Sequence, residues 1–366
     1  MKTIRHISWG ALLIGAALSF SASSGLANTT ANSVSTNRRN QLNNYNWRNL
    51  QSDIAGVARH TDPNVVNPWG MAVSPFGNIW INDNGAGVAT VYFPDGTTTG
   101  TVVNIPASAT NSDGANPTGI VRNDSPFFLI TKNGNTQPST FLFVAEDGSI
   151  SGWNSAVDPN NAVLAVDNGG AGAVYKGATL GATTTHTILY ATNFHSGKVE
   201  MYDENFNRLD TVSTFNDPNL PAGYAPFGIR NLGNQIFVTY ALQDATQHDD
   251  VRGVGHGFID VYDTSGTLLR RLVSNDRLNS PWGLAAGPAT FGKFNGGLYV
   301  GNFGDGRINV YDPITGAFLG TPRQTDGTML QFDGLWDLLF LNNQLYFSAG
   351  IADEDHGLFG VIFPTP

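Results

Sequence analysis

Three short motifs follow one another between residues 280 and 311: Ser280-Pro-Trp-Gly, Leu298-Tyr-Val-Gly and Gly306-Arg-Ile-Asn-Val-Tyr. The third motif is a glycine followed by residues that alternate toward an aromatic. It occurs six times, with copies that begin at Gly87, Gly148, Gly197, Gly257, Gly306 and Gly357. These copies span 270 residues in five intervals, or about 54 residues each, which suits one four-stranded blade per interval. The repeat therefore predicts an all-β protein with six blades.

The other two motifs also recur ahead of each glycine-led segment. A short run of β-branched and aromatic residues comes directly before it, as expected of a strand, and a tight turn comes before that run. The turns are Asn67-Pro-Trp-Gly, Asn116-Pro-Thr-Gly, Val174-Tyr-Lys-Gly, Ala225-Pro-Phe-Gly, Ser280-Pro-Trp-Gly and the degenerate Gly334-Leu-Trp-Asp. We assign the three motifs to strands A, B and C of each blade, counted outward from the centre. A strand D follows in the first five repeats, for example at Leu209-Asp-Thr-Val-Ser in the third.

The sixth repeat lacks a strand D of its own. The segment Asn46-Trp-Arg-Asn-Leu-Gln precedes the first repeat and can supply it. A strand from the N-terminus in this place would join the two ends of a ring and remove an open sheet edge. We therefore expect residues 45–366 to form a six-bladed β-propeller of four-stranded blades, with the last blade closed by the N-terminal strand.

The N-terminus has the three-part pattern of a secretory signal: Lys2 and Arg5, the apolar run 11–18, and small residues ending at Ala27. We expect residues 1–27 to be a signal peptide, residues 28–44 to be a flexible leader, and the mature protein to be periplasmic or secreted. No run approaches the roughly 20 apolar residues of a membrane span, so we expect no span after signal removal. The chain has no cysteine, which excludes disulfides and thiolate chemistry.

The net charge of −10 argues against two classes of partner. A chain of this sign repels the phosphates of nucleic acids and the surface of anionic membranes. Metal cations and neutral or cationic ligands remain open.

The motifs resemble those of the NHL-repeat propellers, which share the Pro-x-Gly turn, the two short strands and the glycine-led strand ending near Asp. More narrowly, the Asn-Pro-Trp-Gly and Tyr-Lys-Gly turns resemble those of an uncharacterised family of exported bacterial propellers. The resemblance covers about Trp47 to Phe363 and implies the fold. It implies no reaction, because propellers include binding proteins, hydrolases, lyases and oxidoreductases.

The residue before each turn glycine is expected to point toward the mouth of the central channel. Five of these residues are our candidates for ligand binding, because aromatic rings there suit sugar rings or other planar ligands: Trp69, Lys176, Phe227, Trp282 and Trp336. The alternative is that the rings only pack the narrow end of the channel. Propeller lactonases place acidic and amide metal ligands at these positions, and the residues of this chain do not match that pattern.

The loops between strands B and C break the repeat and carry histidines and carboxylates. The fourth repeat has a long insertion here, and the third, fifth and sixth repeats have polar loops at the same place. Our candidate metal ligands are His195, His248, His256, Asp305, Asp353 and His356. Oxygen and imidazole ligands suit Ca²⁺, Mn²⁺ or Zn²⁺. No dedicated metal motif is present, and the alternative is a solvated acidic loop with incidental histidines.

Two functional hypotheses follow. The first is an exported binding module that holds a small ligand, glycan or peptide on the loop face around the channel. The second is a metal-assisted hydrolase or isomerase that uses the His and Asp loops of the same face. Neither hypothesis assigns catalytic residues, since the sequence has no nucleophile elbow, phosphate-binding loop or cysteine.

Overall fold

A computed structural model describes residues 43–112, 114–211 and 213–366. The signal peptide predicted at residues 1–27 and nearly all of the predicted leader lie outside the described residues. In the part of the chain that is described, no helix has the length and apolar character needed to cross a membrane.

The described residues contain 26 strands and three short 3₁₀ helices. The strands up to the third repeat are β1 (Asn44–Ser52), β2 (His60–Thr61), β3 (Pro68–Val73), β4 (Ile79–Asp83), β5 (Val88–Tyr92), β6 (Thr98–Asn104), β7 (Pro117–Arg122), β8 (Leu129–Lys132), β9 (Asn135–Pro138), β10 (Phe141–Ala145), β11 (Ser149–Trp153), β12 (Val163–Asp167), β13 (Tyr175–Ala182), β14 (Thr187–Asn193) and β15 (Lys198–Tyr202). The later strands are β16 (Tyr224–Leu232), β17 (Gln235–Leu242), β18 (Phe258–Tyr262), β19 (Leu268–Ser274), β20 (Pro281–Ala286), β21 (Leu298–Asn302), β22 (Ile308–Tyr311), β23 (Phe318–Gly320), β24 (Leu335–Leu341), β25 (Gln344–Ile351) and β26 (His356–Thr365). The 3₁₀ helices span Asn84–Ala86, Gly169–Ala171 and Gly292–Phe294.

These strands form six antiparallel blades, so the predicted six-bladed propeller is confirmed. Blades one, four and five are the four-stranded sheets β3–β6, β16–β19 and β20–β23. Blade two has the order β7-β10-β11-β12, and the hairpin β8–β9 is inserted between its strands A and B. The innermost strands contact one another in a closed cycle, β3, β7, β13, β16, β20, β24 and back to β3, which defines the ring and its channel.

Blade three departs from the four-strand expectation, because its sheet contains β13, β14 and β15. The strand D predicted at Leu209 is reduced to a bridge between Tyr202 and Arg208 and a bond from the Leu209 N–H to the Met201 carbonyl (2.8 Å). The following residues turn instead of extending. The Thr214 hydroxyl bonds the Thr211 carbonyl (2.9 Å) and accepts the Thr211 N–H (3.0 Å), so side-chain bonds compete with a sheet ladder.

The N-terminal strand closes blade six as the sequence predicts. Strand β1 pairs antiparallel with β26, from Asn44 opposite Thr365 to Ser52 opposite Leu358, and the sheet order is β2-β1-β26-β25-β24. Tyr45 and Leu50 of β1 are buried. The edge of β26 is therefore covered by a strand from the other end of the described chain.

The Pro-x-Gly turn requires glycine for a steric reason. A Cβ atom at Gly228 would lie 2.1 Å from the Trp282 carbonyl oxygen of the next blade, so only glycine allows the inner strands to approach this closely. The sixth repeat has Asp337 in that place. Its carboxylate accepts the Met71 N–H (2.8 Å) of blade one and pairs with Arg230 (2.5 Å) of blade four, which puts an ion pair across the channel.

Candidate functional site

The aromatic residues predicted at the mouth pack on one another at one end of the channel. The Trp336 ring stacks on Trp69 (3.4 Å between ring centroids) and on Phe303 (3.9 Å). Trp282 meets Trp336 edge-on at 5.9 Å, and Phe227 lies at 5.9 Å. All five rings are buried. We call this group, Trp69, Phe227, Trp282, Phe303 and Trp336, the aromatic plug.

A cavity of about 340 Å³, the mouth cavity, lies against the aromatic plug. It is lined by Trp69, Glu146, Lys176, His248, Asp249, Asp250, Arg252, Phe303, Trp336 and Glu354. Of the five predicted ligand-binding residues, three line this cavity: Trp69, Lys176 and Trp336. Phe227 and Trp282 belong to the plug without lining the cavity.

Lys176 places a positive charge in the wall of the mouth cavity. It is the second residue of β13, and its carbonyl accepts the Trp282 indole N–H (2.9 Å), which fixes the backbone. Its side chain is 2% exposed, and Nζ contacts the Glu146 carboxylate and lies 3.4 Å from Asp249 Oδ1. Burial opposes the charged form, but the carboxylates of Glu146 and Asp249 outweigh it and raise the pKa of Lys176. Lys176 is therefore a charged ammonium at neutral pH.

The long insertion between β17 and β18 supplies His248 and Asp249. The Asp244 carboxylate accepts the N–H groups of Thr246 (3.1 Å) and His248 (3.0 Å), a side-chain turn that shapes this segment. His248 Nδ1 lies 2.9 Å from Asp249 Oδ1. The hydrogen bond from His248 lowers the pKa of Asp249 to about 2 and the same bond raises the pKa of His248. This pair presents an ionised carboxylate to the mouth cavity.

Glu354 reaches the mouth cavity from a strained loop. Ala352, Asp353 and Glu354 have φ values of 57°, 53° and 70°, a run of left-handed residues without glycine. Each such residue costs on the order of 1 kcal/mol, and strain of this kind is concentrated at functional sites. Glu354 Oε2 accepts the Asn67 amide (2.8 Å), and burial raises the pKa of Glu354 to about 7. The loop is held in an unfavourable conformation that places a half-buried carboxyl group in the cavity wall.

This raised pKa predicts how Glu354→Gln changes stability with pH. The folded-state pKa of about 7 exceeds the ordinary value of 4.5, so wild-type stability falls as pH rises from 4.5 to 7 and the loss persists above 7. The glutamine variant lacks this loss, and we expect it to be more stable than wild type by on the order of 2 kcal/mol near pH 8. Near pH 4 we expect the two proteins to be equally stable.

Urea denaturation across this range measures the difference directly. Asp124→Asn is the control, because Asp124 lies outside the mouth cavity and its side chain is 64% exposed. Parallel stability curves for wild type and Glu354→Gln would contradict a raised pKa for the half-buried Glu354 carboxyl group.

The six predicted metal ligands are not brought together. In the described part of the chain, one group of three side chains has potential ligand atoms within 4.8 Å of one another: Glu146, His248 and Asp249. Only His248 of the six belongs to it. The Lys176 ammonium contacts both carboxylates of this group, so a metal ion there would compete with an internal cation.

The other five predicted ligands lie elsewhere on the loops. His256 Nδ1 bonds the Val251 carbonyl (2.8 Å), and His356 Nδ1 lies 2.6 Å from Asp53. Asp305 accepts the Arg307 N–H (3.2 Å), Asp353 is exposed, and His195 is half-buried on the loop after β14. Five further charged residues line the mouth cavity and were not predicted: Asp249, Asp250 and Arg252 in the insertion of the fourth repeat, Glu354 in the corresponding loop of the sixth, and Glu146 in that of the second.

Comparison with known proteins supports the fold and identifies relatives. No family model matches the chain. Two proteins of Acanthamoeba polyphaga mimivirus are similar: uncharacterized protein R648, 32% identical over 321 residues that cover 86% of this chain and 78% of the relative, and uncharacterized protein L690, 30% identical over 314 residues that cover 83% and 82%.

Among solved structures, the PQQ-bound aldose sugar dehydrogenase of Streptomyces coelicolor has a TM-score of 0.50 at 11% identity, covering 88% of this chain and 99% of that one. An inactive variant of virginiamycin B lyase from Staphylococcus aureus has a TM-score of 0.49 at 16% identity, covering 88% and 100%. The likeness to the dehydrogenase shows the fold alone. The resemblance to propellers inferred from the motifs is confirmed at that level.

Proposed function

The chain belongs to the same protein family as the mimivirus proteins R648 and L690, and we propose that it is a binding module that holds a small polar ligand in the mouth cavity. The observation that carries this proposal is the buried, charged Lys176 beside an aromatic surface, with Glu146, Asp249 and Glu354 around it. From the N-terminal signal pattern we also propose that the module works in the periplasm or outside the cell.

The lining of the cavity favours a neutral, hydroxyl-rich ligand. Four carboxyl groups, two cations and one histidine line it, so charges of both signs are present, and burial raises the pKa of Asp250 and of Glu354, which favours their neutral forms. Such a wall offers both donors and acceptors to a ligand without favouring a strongly charged one. The buried rings of Trp69, Phe303 and Trp336 supply the apolar part of the lining. A volume of about 340 Å³ is near the lower end of the range for ligand pockets, which suits a single sugar ring.

Calorimetric titration with the methyl glycosides of glucose, galactose, mannose and N-acetylglucosamine tests this proposal. We expect one or more of them to bind wild type with millimolar or tighter affinity. Asp249→Asn should weaken that binding by about 10-fold or more, because a hydrogen bond to a charged group is worth about 1.5–3 kcal/mol. The variant should fold normally, since the Asp249 side chain is 69% exposed.

Asp124→Asn is the matched control. Its side chain is 64% exposed and pairs with Arg122 outside the mouth cavity, so it should bind the glycoside as wild type does. No binding of any of the four glycosides would overturn the assignment to sugars. Equal losses in the two variants would overturn the assignment to the mouth cavity.

A metal-assisted hydrolase or isomerase is the second candidate, and the group Glu146, His248 and Asp249 favours it. A mixed imidazole and carboxylate set fits Zn²⁺ or Mn²⁺. In this reading the metal must displace the Lys176 ammonium from the two carboxylates. Titration with ZnCl₂ and MnCl₂ distinguishes the candidates: binding that His248→Ala abolishes supports the metal site, and unchanged binding in that variant or none in wild type excludes this site.

A further inference from the structure

A second cavity, of about 520 Å³, lies on blade five and shares no lining residue with the mouth cavity. Its walls come from β22 and β23, from the segments on either side of this blade, and from Asn43 and Asn44 at the start of β1. We call it the rim cavity. Its volume is within the range of about 300–1,000 Å³ that is typical of ligand pockets.

The charge of the rim cavity is opposite to that of the whole chain. Four cationic side chains line it against one carboxylate, that of Asp305: Arg277, Lys293, Arg307 and Arg323. The chain as a whole has 19 Lys and Arg against 29 Asp and Glu. A concave surface lined by charges of one sign concentrates ligands of the opposite sign. The cavity therefore favours an anion.

The guanidinium groups retain donors for such a ligand. Arg307 Nη1 lies 3.9 Å from Asp305 Oδ2, and its Nε is buried without a hydrogen-bond partner among the described residues. The Arg277 guanidinium lies over the Phe318 ring at 4.4 Å and forms no ion pair with a described carboxylate. Stacking on an aromatic ring orients a guanidinium and leaves its edge free to bind a carboxylate or phosphate.

Polar and apolar groups complete the lining. Thr321 donates its hydroxyl to Asn309 Oδ1 (3.1 Å), and Phe294 and Phe318 present ring surface. A simple phosphate ion would use the cations alone. A ligand of sugar size would also contact the amide, hydroxyl and ring groups.

We propose that the rim cavity is a second binding site, which takes a small ligand of sugar size that bears a carboxylate or phosphate group. This site is independent of the proposed function of the mouth cavity. Four cations against one carboxylate favour an anion in the rim cavity, whereas charges of both signs line the mouth cavity.

Calorimetric titration at low salt with glucuronate, glucose 6-phosphate and inorganic phosphate tests the proposal, with glucose as the neutral comparison. We expect glucuronate or glucose 6-phosphate to bind and the affinity to fall by at least about 10-fold in the double variant Arg277→Gln/Arg307→Gln. The affinity should also fall as salt is added. Asp249→Asn, which alters the mouth cavity, should leave this binding unchanged.

Lys132→Gln is the matched control, because Lys132 is 39% exposed against 41% for Arg307 and pairs with Asp158 outside the rim cavity. Full anion binding by the double variant would overturn the site, as would the absence of binding by both sugar anions. If inorganic phosphate binds as tightly as glucose 6-phosphate, the proposal that the cavity recognises the sugar part of the ligand would be wrong. A circular dichroism spectrum identical to that of wild type establishes that the double variant is folded.

Discussion

Deleting residues through Gln51 is expected to leave no folded monomer, whereas deleting residues 28–40 is expected to leave a folded propeller. The first truncation removes nearly all of β1 and exposes the edge of β26 along its length. The second leaves every described strand in place. Exposed strand edges also promote aggregation, so the first product should be poorly soluble.

The expected loss of stability follows from two buried side chains of β1. Tyr45 is buried among the rings of Phe291 and Phe294, at 5.6 Å and 6.1 Å, and Leu50 is buried beside blade one. Loss of a buried aromatic costs about 3–5 kcal/mol and loss of a buried leucine about 2–5 kcal/mol. Their sum is comparable to the entire stability of a typical domain, about 5–15 kcal/mol. Thermal melts and gel filtration of the two truncations measure the effect, and equal melting temperatures would contradict closure by β1.

Trp336→Ala is expected to destabilise the protein by about 3–5 kcal/mol, the cost of truncating a buried tryptophan. The Trp336 ring is 1% exposed, stacks between Trp69 and Phe303, and donates its indole N–H to Asn67 (2.9 Å). The variant therefore loses the centre of the aromatic plug and leaves a buried amide oxygen without its donor. Trp69→Ala and Trp282→Ala should also destabilise the protein, since both rings are buried as well.

Trp47→Ala is the control for this series. Trp47 is half-buried and contacts Phe332 edge-on at 5.8 Å, so its loss should cost less. Urea denaturation compares the two directly. A loss of less than about 1 kcal/mol for Trp336→Ala would show that the ring does not pack the channel.

The sequence was sufficient to predict the fold because each repeat carries the same local motifs: a tight turn with glycine, a short β-rich strand and a glycine-led strand. The turn glycines are required where the inner strands approach closely, as at Gly228. The sixth repeat lacks its own strand D, and the N-terminal segment predicted to replace it is strand β1. The hairpin β8–β9 and the broken strand D of blade three were not anticipated. Both contain local side-chain hydrogen bonds, between Thr131 and Thr136 in the hairpin and between Thr211 and Thr214 in blade three, which carry no periodic signal.

The candidate site was predicted only in part. Position in the repeat predicted that Trp69, Lys176 and Trp336 face the mouth of the channel, and these three line the mouth cavity, whereas Phe227 and Trp282 at the same repeat position do not. The charged residues of the loops were harder to choose. Imidazole chemistry favours histidines as metal ligands, yet His256 bonds the Val251 carbonyl of its own loop and His356 bonds Asp53. Glu354 enters the cavity through three left-handed residues, a conformation that composition does not reveal.

A crystal structure of the protein with its tightest-binding methyl glycoside, present near its dissociation constant, tests the central claim most directly. We expect a sugar ring in the mouth cavity, against Trp69 or Phe303, with hydroxyls within hydrogen-bond distance of Lys176, Asp249 or Glu354. A sugar bound in the rim cavity or on the outer surface, with the mouth cavity filled by water alone, would contradict it.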